Sequence, residues 1–113
     1  MQTNPTISHY TYRVTWSVED QEFVATCLEF PSLSWLAATQ VDALTGLETL
    51  IAEVIEDLTA HGEPIPDPLA ERTYSGKFNL RVGEALHRRL AIEAASEQLS
   101  INQLIVRRLS TTR

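Results

Sequence analysis

At 113 residues with 43% hydrophobic content, the chain can form one ordinary domain or two very small ones with a real core. It contains no apolar run of the roughly 20 residues that a membrane span needs. Its polar start at 1–8 does not resemble a signal peptide, so we expect a cytoplasmic protein without membrane contact. The single cysteine excludes an intrachain disulfide, the three histidines lack metal-ligand spacing, and a net charge of −6 argues against nucleic acid unless that charge is unevenly distributed.

Three short strands are predicted at the start of the chain. Residues 10–16 alternate aromatic and β-branched side chains with polar ones, the period of two that is typical of a half-buried strand. A polar turn at 17–22 leads to a second strand at 23–30, in which Cys27 is interpreted as a small buried hydrophobe. A third strand is expected around 34–38. Together these strands predict a small antiparallel meander.

A helix and a proline-rich stretch follow the meander. Thr39 and Asp42 have the spacing of a capping box, and apolar residues then recur every three or four positions. The helix is expected to stop at His61-Gly62, where glycine can adopt the left-handed conformation. Because three prolines occur between 63 and 72, we interpret that stretch as a stiff, extended linker. A first domain is therefore predicted at 1–68, and its end overlaps the start of this linker.

The second domain, residues 75–113, starts with an alternating segment at 77–82. The apolar members of this segment lie on one side and the polar members on the other: Phe78, Leu80 and Val82 against Lys77, Asn79 and Arg81. A helix is predicted at 84–98, and a capping box between Ser100 and Gln103 starts another. The domain is therefore predicted to have one strand and two helices, with no second strand to pair with the first.

Charge is distributed unevenly between the two domains. Residues 1–74 carry twelve acidic and two basic side chains, a net charge of −10, whereas residues 75–113 carry three acidic and seven basic ones, a net charge of +4. The second domain, unlike the first, has the charge expected of a nucleic-acid-binding module.

A single copy of the second domain cannot satisfy the backbone of its strand or bury a sufficient core. Two copies can, if their strands pair antiparallel across a two-fold axis. The apolar side chains of 77–82 would then form the core of a homodimer, and the polar ones would line its outer face. Asn79 can bind adenine through two hydrogen bonds, and Lys77 and Arg81 can bind guanine. We therefore predict that these three side chains read the bases of operator DNA.

The second domain resembles a known family of DNA-binding proteins. The alternating segment from Lys77 to Val82, then a helix, then Ser100-x-Asn102 at the start of another helix is similar to the ribbon-helix-helix family of Arc-type repressors. The resemblance implies that the strand pair enters the major groove. It also implies that backbone N–H groups at the start of the second helix bind a DNA phosphate, which the helix dipole favours. The residues concerned are Ser100, Ile101, Asn102 and Gln103.

A wider resemblance, over residues 9–110, includes the first domain. The meander, the helix with an acidic face and the sequence Gly-Glu-Pro-Ile-Pro at 62–66 are similar to the HicB antitoxins. This resemblance implies an α+β chain with a partial RNase H-like first domain and a ribbon-helix-helix second domain. It implies that the protein neutralises a small RNA-cleaving toxin of the HicA type and represses its own operator, and that dimers associate further through their first domains.

Several alternatives remain open at this point. The chain could be a ribbon-helix-helix regulator without a toxin, or a toxin-binding module that no longer binds DNA. The paired arginines of the second domain either contact phosphate or pair with Glu93 and Glu97; they are Arg88, Arg89, Arg107 and Arg108. Trp35 and Leu36 are either a partner anchor or core filling. The acidic helix face is either a solvated face or an attractant for a basic partner; it comprises Glu48, Glu53, Glu56 and Asp57.

An enzyme is the remaining alternative, because the RNase H-like resemblance suggests a metal-dependent nuclease. Such cleavage needs several carboxylates that converge on Mg²⁺. The first strand has none, Glu19 and Asp20 lie in a turn, and Glu29 stands alone on the second strand. No nucleophile and base occur at a known spacing. We therefore predict no catalytic residues, no metal and no cofactor.

Overall fold

A computed structural model of the single chain describes residues 5–111, so that Arg113, which contributes to the basic charge of the second domain, lies outside the described residues. The fold is α+β. A short 3-10 turn at Ile7–His9 precedes three strands and three helices, which are β1 (Tyr12–Ser17), β2 (Glu22–Cys27), β3 (Ser34–Ala37), α1 (Gln40–Ala60), α2 (Glu84–Ser96) and α3 (Ile101–Ser110). The chain divides into two compact units, Met1–Tyr74 and Ser75–Arg113, called here the first unit and the second unit.

The sheet of the first unit is the predicted antiparallel meander, in the order β1-β2-β3. Val14 lies opposite Ala25, which in turn lies opposite Trp35, so these three side chains share the face that carries α1. The strands differ from the prediction at their ends. β1 begins only at Tyr12, and β2 stops at Cys27 because the chain turns there, with the N–H of Phe30 donating to the carbonyl of Cys27 at 3.2 Å.

Helix α1 covers that face of the sheet. The Thr39 hydroxyl caps its N-terminus by accepting a hydrogen bond from the N–H of Asp42 at 3.1 Å, which is one half of the capping box predicted there. Four buried positions four residues apart give the helix a single apolar stripe: Ala43, Leu47, Ile51 and Ile55. The helix ends at the predicted place, where Gly62 adopts the left-handed φ of +65°.

The core of the first unit lies between α1 and the sheet. Its buried members are Tyr10, Ala25, Cys27, Phe30, Ala43, Leu47, Ile51 and Ile55. Tyr10 and Phe30 meet edge to face with ring centroids 5.2 Å apart. Burial of Cys27 confirms the interpretation of that residue as a small hydrophobe. Residues of the strands, of α1 and of the segments beside the strands therefore form one buried cluster.

The proline-rich stretch at 63–72, predicted to be an extended linker, makes specific contacts with the first unit. We call its contacting part, residues 65–71, the strap. Ile65 packs against the core, and Pro68 is fully buried. The first unit consequently extends past residue 68, as far as Tyr74.

The second unit is a helical hairpin with a small core. Leu90 and Ala94 of α2 pack on Leu104 of α3, and these are the buried hydrophobic residues among those described at 75–111. Helix α2 ends at Ser96, two residues before the predicted end, because Gln98 takes a positive φ of 59° and turns the chain towards α3. The segment at 77–82 forms no strand in the single chain.

Candidate nucleic-acid interface

The segment at 77–82 is bounded by two glycines with positive φ. Gly76 has a φ of +83°, and Gly83, the N-cap of α2, has a φ of 84° with a ψ of 158°. The second conformation is one that almost only glycine adopts, since a Cβ would clash there. Ser75 also shapes the start of the segment, because its hydroxyl accepts from the N–H of Lys77 at 3.1 Å. These backbone features fix where the segment begins and ends.

The alternating side chains of 77–82 differ little in burial in the single chain. The polar members are all exposed: Lys77, Asn79 and Arg81. Two of the three apolar members are exposed as well, with Phe78 at 79% and Leu80 at 62%. Only Val82 packs against the buried cluster of the second unit. Pairing of this segment with a second copy, and base reading by its polar side chains, therefore stay predictions.

The exposed apolar surface of the second unit continues onto its helices. Further large hydrophobic side chains are exposed there: Leu86, Ile92, Val106 and Leu109. The buried core of this unit comprises three residues among those described. Association with another chain, which would cover some of the exposed apolar side chains, stays a prediction.

The start of α3 has the predicted capping box. The Ser100 hydroxyl accepts from the N–H of Gln103 at 3.0 Å, while Gln103 Oε1 accepts from the N–H of Ser100 at 2.8 Å. Two of the four N–H groups that we predicted to bind phosphate are thus already bonded within the chain. The box leaves the N–H groups of Ile101 and Asn102 for a phosphate, and the Ile101 side chain packs into the core.

The paired arginines of the second unit fall into two groups. Arg107 contacts Glu97, with Nη2 and Oε1 2.5 Å apart, and Arg108 pairs with Glu93. The alternative in which these two arginines pair with Glu93 and Glu97 is therefore confirmed. Arg88 and Arg89 are exposed, and within residues 5–111 neither forms an ion pair.

The surface of the first unit carries the two tryptophans. Trp35 packs on Gly46 of α1, where the indole fills the space that a Cβ would need, yet 43% of the residue stays exposed. Trp16 meets Phe23 edge to face at 5.0 Å and is 49% exposed. Leu36 lies on the opposite face of the sheet from Trp35. Trp35 is therefore partly packed and partly exposed, and neither predicted alternative describes it fully.

Glu29 is the polar residue whose importance the sequence interpretation missed. Its Oε1 accepts from the N–H of Thr11 at 2.9 Å, and its Oε2 accepts from the N–H of Leu69, also at 2.9 Å. The Thr11 hydroxyl and the Cys27 thiol donate to the same carboxylate. Burial acts to raise the pKa of Glu29, but the N–H groups of Leu69 and Thr11 outweigh it and the pKa lies below its ordinary value. The continuing period of two after Phe23, Ala25 and Cys27 was the available signal that Glu29 points towards the core side.

Metal sites and membrane-spanning helices are both absent from residues 5–111. No three His, Cys, Asp or Glu side chains in this range lie close enough together to hold a metal ion. None of the helices in the same range is both long and apolar enough to cross a membrane.

A protein-family model matches part of this chain. The model of the HicB family matches residues 61–109, which run from the end of α1 through the strap and α2 to the last turns of α3. The match supports membership of the HicB family. Comparisons with curated proteins and with solved structures found no match.

Proposed function

We propose that the chain is the antitoxin of a type II toxin–antitoxin pair, which neutralises a HicA-type RNA-cleaving toxin and, as a homodimer, represses its own operator. The observation that carries the proposal is the HicB family match over 61–109, because this range includes the exposed alternating segment and both helices of the second unit. Toxin binding is assigned to the first unit and operator binding to the second. Regulation without a toxin, and toxin binding without DNA, are the competing outcomes.

Dimerisation follows from the exposed apolar side of 77–82. Phe78 and Leu80 are largely exposed in the single chain, and burying such side chains is favourable by about 1.5–3 kcal/mol each. Antiparallel pairing of two segments would bury these side chains and satisfy the backbone groups of both strands. The pair then resembles the ribbon of a ribbon-helix-helix protein, with its polar side facing outwards.

Operator binding uses the polar side of the same ribbon. Lys77, Asn79 and Arg81 would contact base edges in the major groove, and the N–H groups of Ile101 and Asn102 would hold a phosphate on each side. Because Arg107 and Arg108 already pair with Glu97 and Glu93, we assign no phosphate contact to them. This division separates sequence readout from backbone positioning.

Toxin binding is assigned to the acidic first unit. Its net charge of −10 attracts a basic RNA-binding protein at long range, and the exposed carboxylates of α1 supply one charged face: Glu53, Glu56 and Asp57. We propose that neutralisation is a binding event without a catalytic step. The Glu29 carboxylate accepts from the N–H groups of Thr11 and Leu69, and we assign it to the fold and not to catalysis.

DNA titrations test the operator half of the proposal. Wild type, Arg81→Ala and the control Arg72→Ala, an exposed arginine of the first unit, are titrated with duplex DNA from upstream of the gene and with a scrambled duplex, at several salt concentrations. Arg81→Ala should weaken binding to the true operator by about 1–3 kcal/mol and affect scrambled DNA less, while the control changes neither. Equal losses on both duplexes would mean that Arg81 touches only the DNA backbone. A wild type without operator preference would favour the toxin-binding module.

Co-expression tests the toxin half. Fragments 1–68 and 1–74 are expressed with the toxin candidate encoded beside the gene, and growth is measured. Fragment 1–74 should rescue growth, and 1–68 should rescue less well because it lacks the N–H of Leu69 that binds Glu29. A folded 1–74 fragment that binds no toxin would remove the antitoxin assignment or show that the second unit takes part.

A further inference from the structure

The strap is held against the first unit by polar contacts along its length. The Tyr10 hydroxyl donates to the carbonyl of Pro66 at 2.7 Å, and the imidazole of His9 contacts the Glu71 carboxylate. Burial, with Cys27 and the nearby carboxylates adding to it, raises the pKa of Tyr10 to about 12, so its hydroxyl stays a donor at all ordinary pH values. The strap is thus bound by residues that lie far from it in the sequence.

Glu29 holds the middle of the strap and has a second task at the same time. Oε2 accepts from the strap at Leu69, while Oε1 accepts from Thr11, immediately before β1. No cation pairs with Glu29 within residues 5–111, so its carboxylate is held by N–H, hydroxyl and thiol donors alone. One side chain therefore ties the start of the first unit to its end.

We propose that Glu29 is a latch that sets the length of the tether between the two units. With the latch closed, residues 72–74 are held to the strap as well, because the N–H of Arg72 donates to the Pro68 carbonyl and the Tyr74 hydroxyl donates to the Leu69 carbonyl. With the latch open, residues 63–74 become free to act as a tether, and the reach of a flexible chain grows with the square root of its length. The strap opens as a separate element, while α1 and the sheet remain folded. Such opening would expose the two packed apolar side chains of the strap, Ile65 and Pro68, while the larger core beneath α1 stays covered.

Glu29→Gln is the variant that tests the latch with the least change in shape. A glutamine side chain has one acceptor oxygen and one NH₂ group in place of the two carboxylate oxygens, so it can keep the bond from Thr11 or the bond from Leu69 but not both. In the full chain, amide hydrogen exchange should accelerate at least about tenfold at whichever of Leu69 and Thr11 loses its acceptor, whereas exchange at Ile51 in α1 should stay unchanged. Glu53→Gln, an exposed charge change on α1, is the matched control and should alter none of these amides.

Chymotrypsin provides a second readout in the same protein. Leu69 lies within the strap, so cleavage after Leu69 should appear in Glu29→Gln where the Leu69 bond is lost, and not in wild type. Leu69→Pro is the second variant, because proline removes the strap's donor outright and leaves Glu29 and Thr11 untouched. Faster amide exchange at Glu71 and Arg72, which both donate to the Pro68 carbonyl, would then report an open strap.

Two results would overturn the proposal. Unchanged exchange at both Thr11 and Leu69 in Glu29→Gln, or at Glu71 and Arg72 in Leu69→Pro, would show that this hydrogen bond does not hold the strap. Exchange at Leu69 and Ile51 that rises in parallel would show that the strap opens only when the whole first unit unfolds.

Discussion

The two units use the same kind of alternating segment with opposite results. In the first unit, β1 alternates and finds β2 as its neighbour only a short turn later, so that its apolar side joins a buried core beneath α1. In the second unit, 77–82 alternates equally well but is followed by two helices. Phe78 and Leu80 remain exposed there.

This difference shows what a period of two does and does not specify. The pattern determines which side chains share a face, because neighbouring side chains of a strand point in opposite directions. Whether a strand forms depends on a partner for its backbone groups, and the second unit offers none in its own described residues. The second unit therefore leaves 77–82 without a strand partner within residues 75–111, whereas the three strands of the first unit are paired.

The largest expected effect tests that contrast at Leu80. Leu80→Ser removes an apolar side chain twice from a symmetric dimer, which should cost about 3–6 kcal/mol and raise the dimer dissociation constant about 10²- to 10⁴-fold. Analytical sedimentation measures this dissociation constant for wild type and variant. Leu28→Ser is the matched control, since Leu28 is 64% exposed in the first unit and Leu80 is 62% exposed. A dimer equally weakened by both variants, or by neither, would mean that 77–82 is not the interface.

The next effect compares the two cores. Leu104 and Leu47 are both fully buried, and replacing either with alanine should cost about 2–5 kcal/mol. Because the second unit has a core of three buried residues among those described, Leu104→Ala should unfold that unit while leaving the first intact. Leu47→Ala should lower the stability of the first unit without unfolding it. Unit-specific amide NMR signals in a urea titration distinguish these outcomes, and a joint transition of both units would contradict them.

A smaller effect concerns the contact between Trp35 and Gly46. Alanine in a helix interior is ordinarily more favourable than glycine by about 1 kcal/mol, but here a Cβ would collide with the indole. Gly46→Ala should therefore destabilise the first unit, by about 1–2 kcal/mol in thermal unfolding. In a Trp35→Leu background the same change should become neutral or stabilising. Stabilisation by Gly46→Ala alone would show that Trp35 can move aside at no cost.

The smallest effect is that of the ion pair between Arg107 and Glu97. Both side chains are about half exposed, so Glu97→Gln should reduce the stability of the second unit by only about 0.2–1 kcal/mol. The difference from wild type should disappear in about 1 M salt, where charges are strongly screened. Glu53→Gln, in the first unit, should leave the second unit unchanged. A loss of stability that persists in high salt would indicate that Glu97 contributes through packing and not through its charge.

Apart from the strand predicted at 77–82, which the single chain does not form, the order of strands and helices was predictable because its signals are local. The caps at Thr39, Gly62 and Ser100 and the apolar periods of the helices all act within a few residues. The ends of the strands were less accurate, since the turn after Cys27 breaks a pattern that continues in the sequence. Base reading by the 77–81 side chains stays a prediction.

The strap could not be predicted, for a physical reason. Its hydrogen bonds join residues that are distant in sequence, as between Glu29 and Leu69, which are 40 positions apart. Local composition, with three prolines, is typical of an extended linker and gives no sign of such partners. Contacts of this kind become visible only once the core has placed the two residues side by side.

The packing of the two tryptophans has a practical consequence for all these measurements. Trp16 and Trp35 are the only tryptophans of the chain, and both lie in the first unit. The second unit has a single Phe, Phe78, and neither Trp nor Tyr. Indole fluorescence in the intact protein will therefore follow the first unit alone, while far-ultraviolet circular dichroism follows the helices of both. Two transitions recorded by the two methods on one sample would resolve the units without cutting the chain.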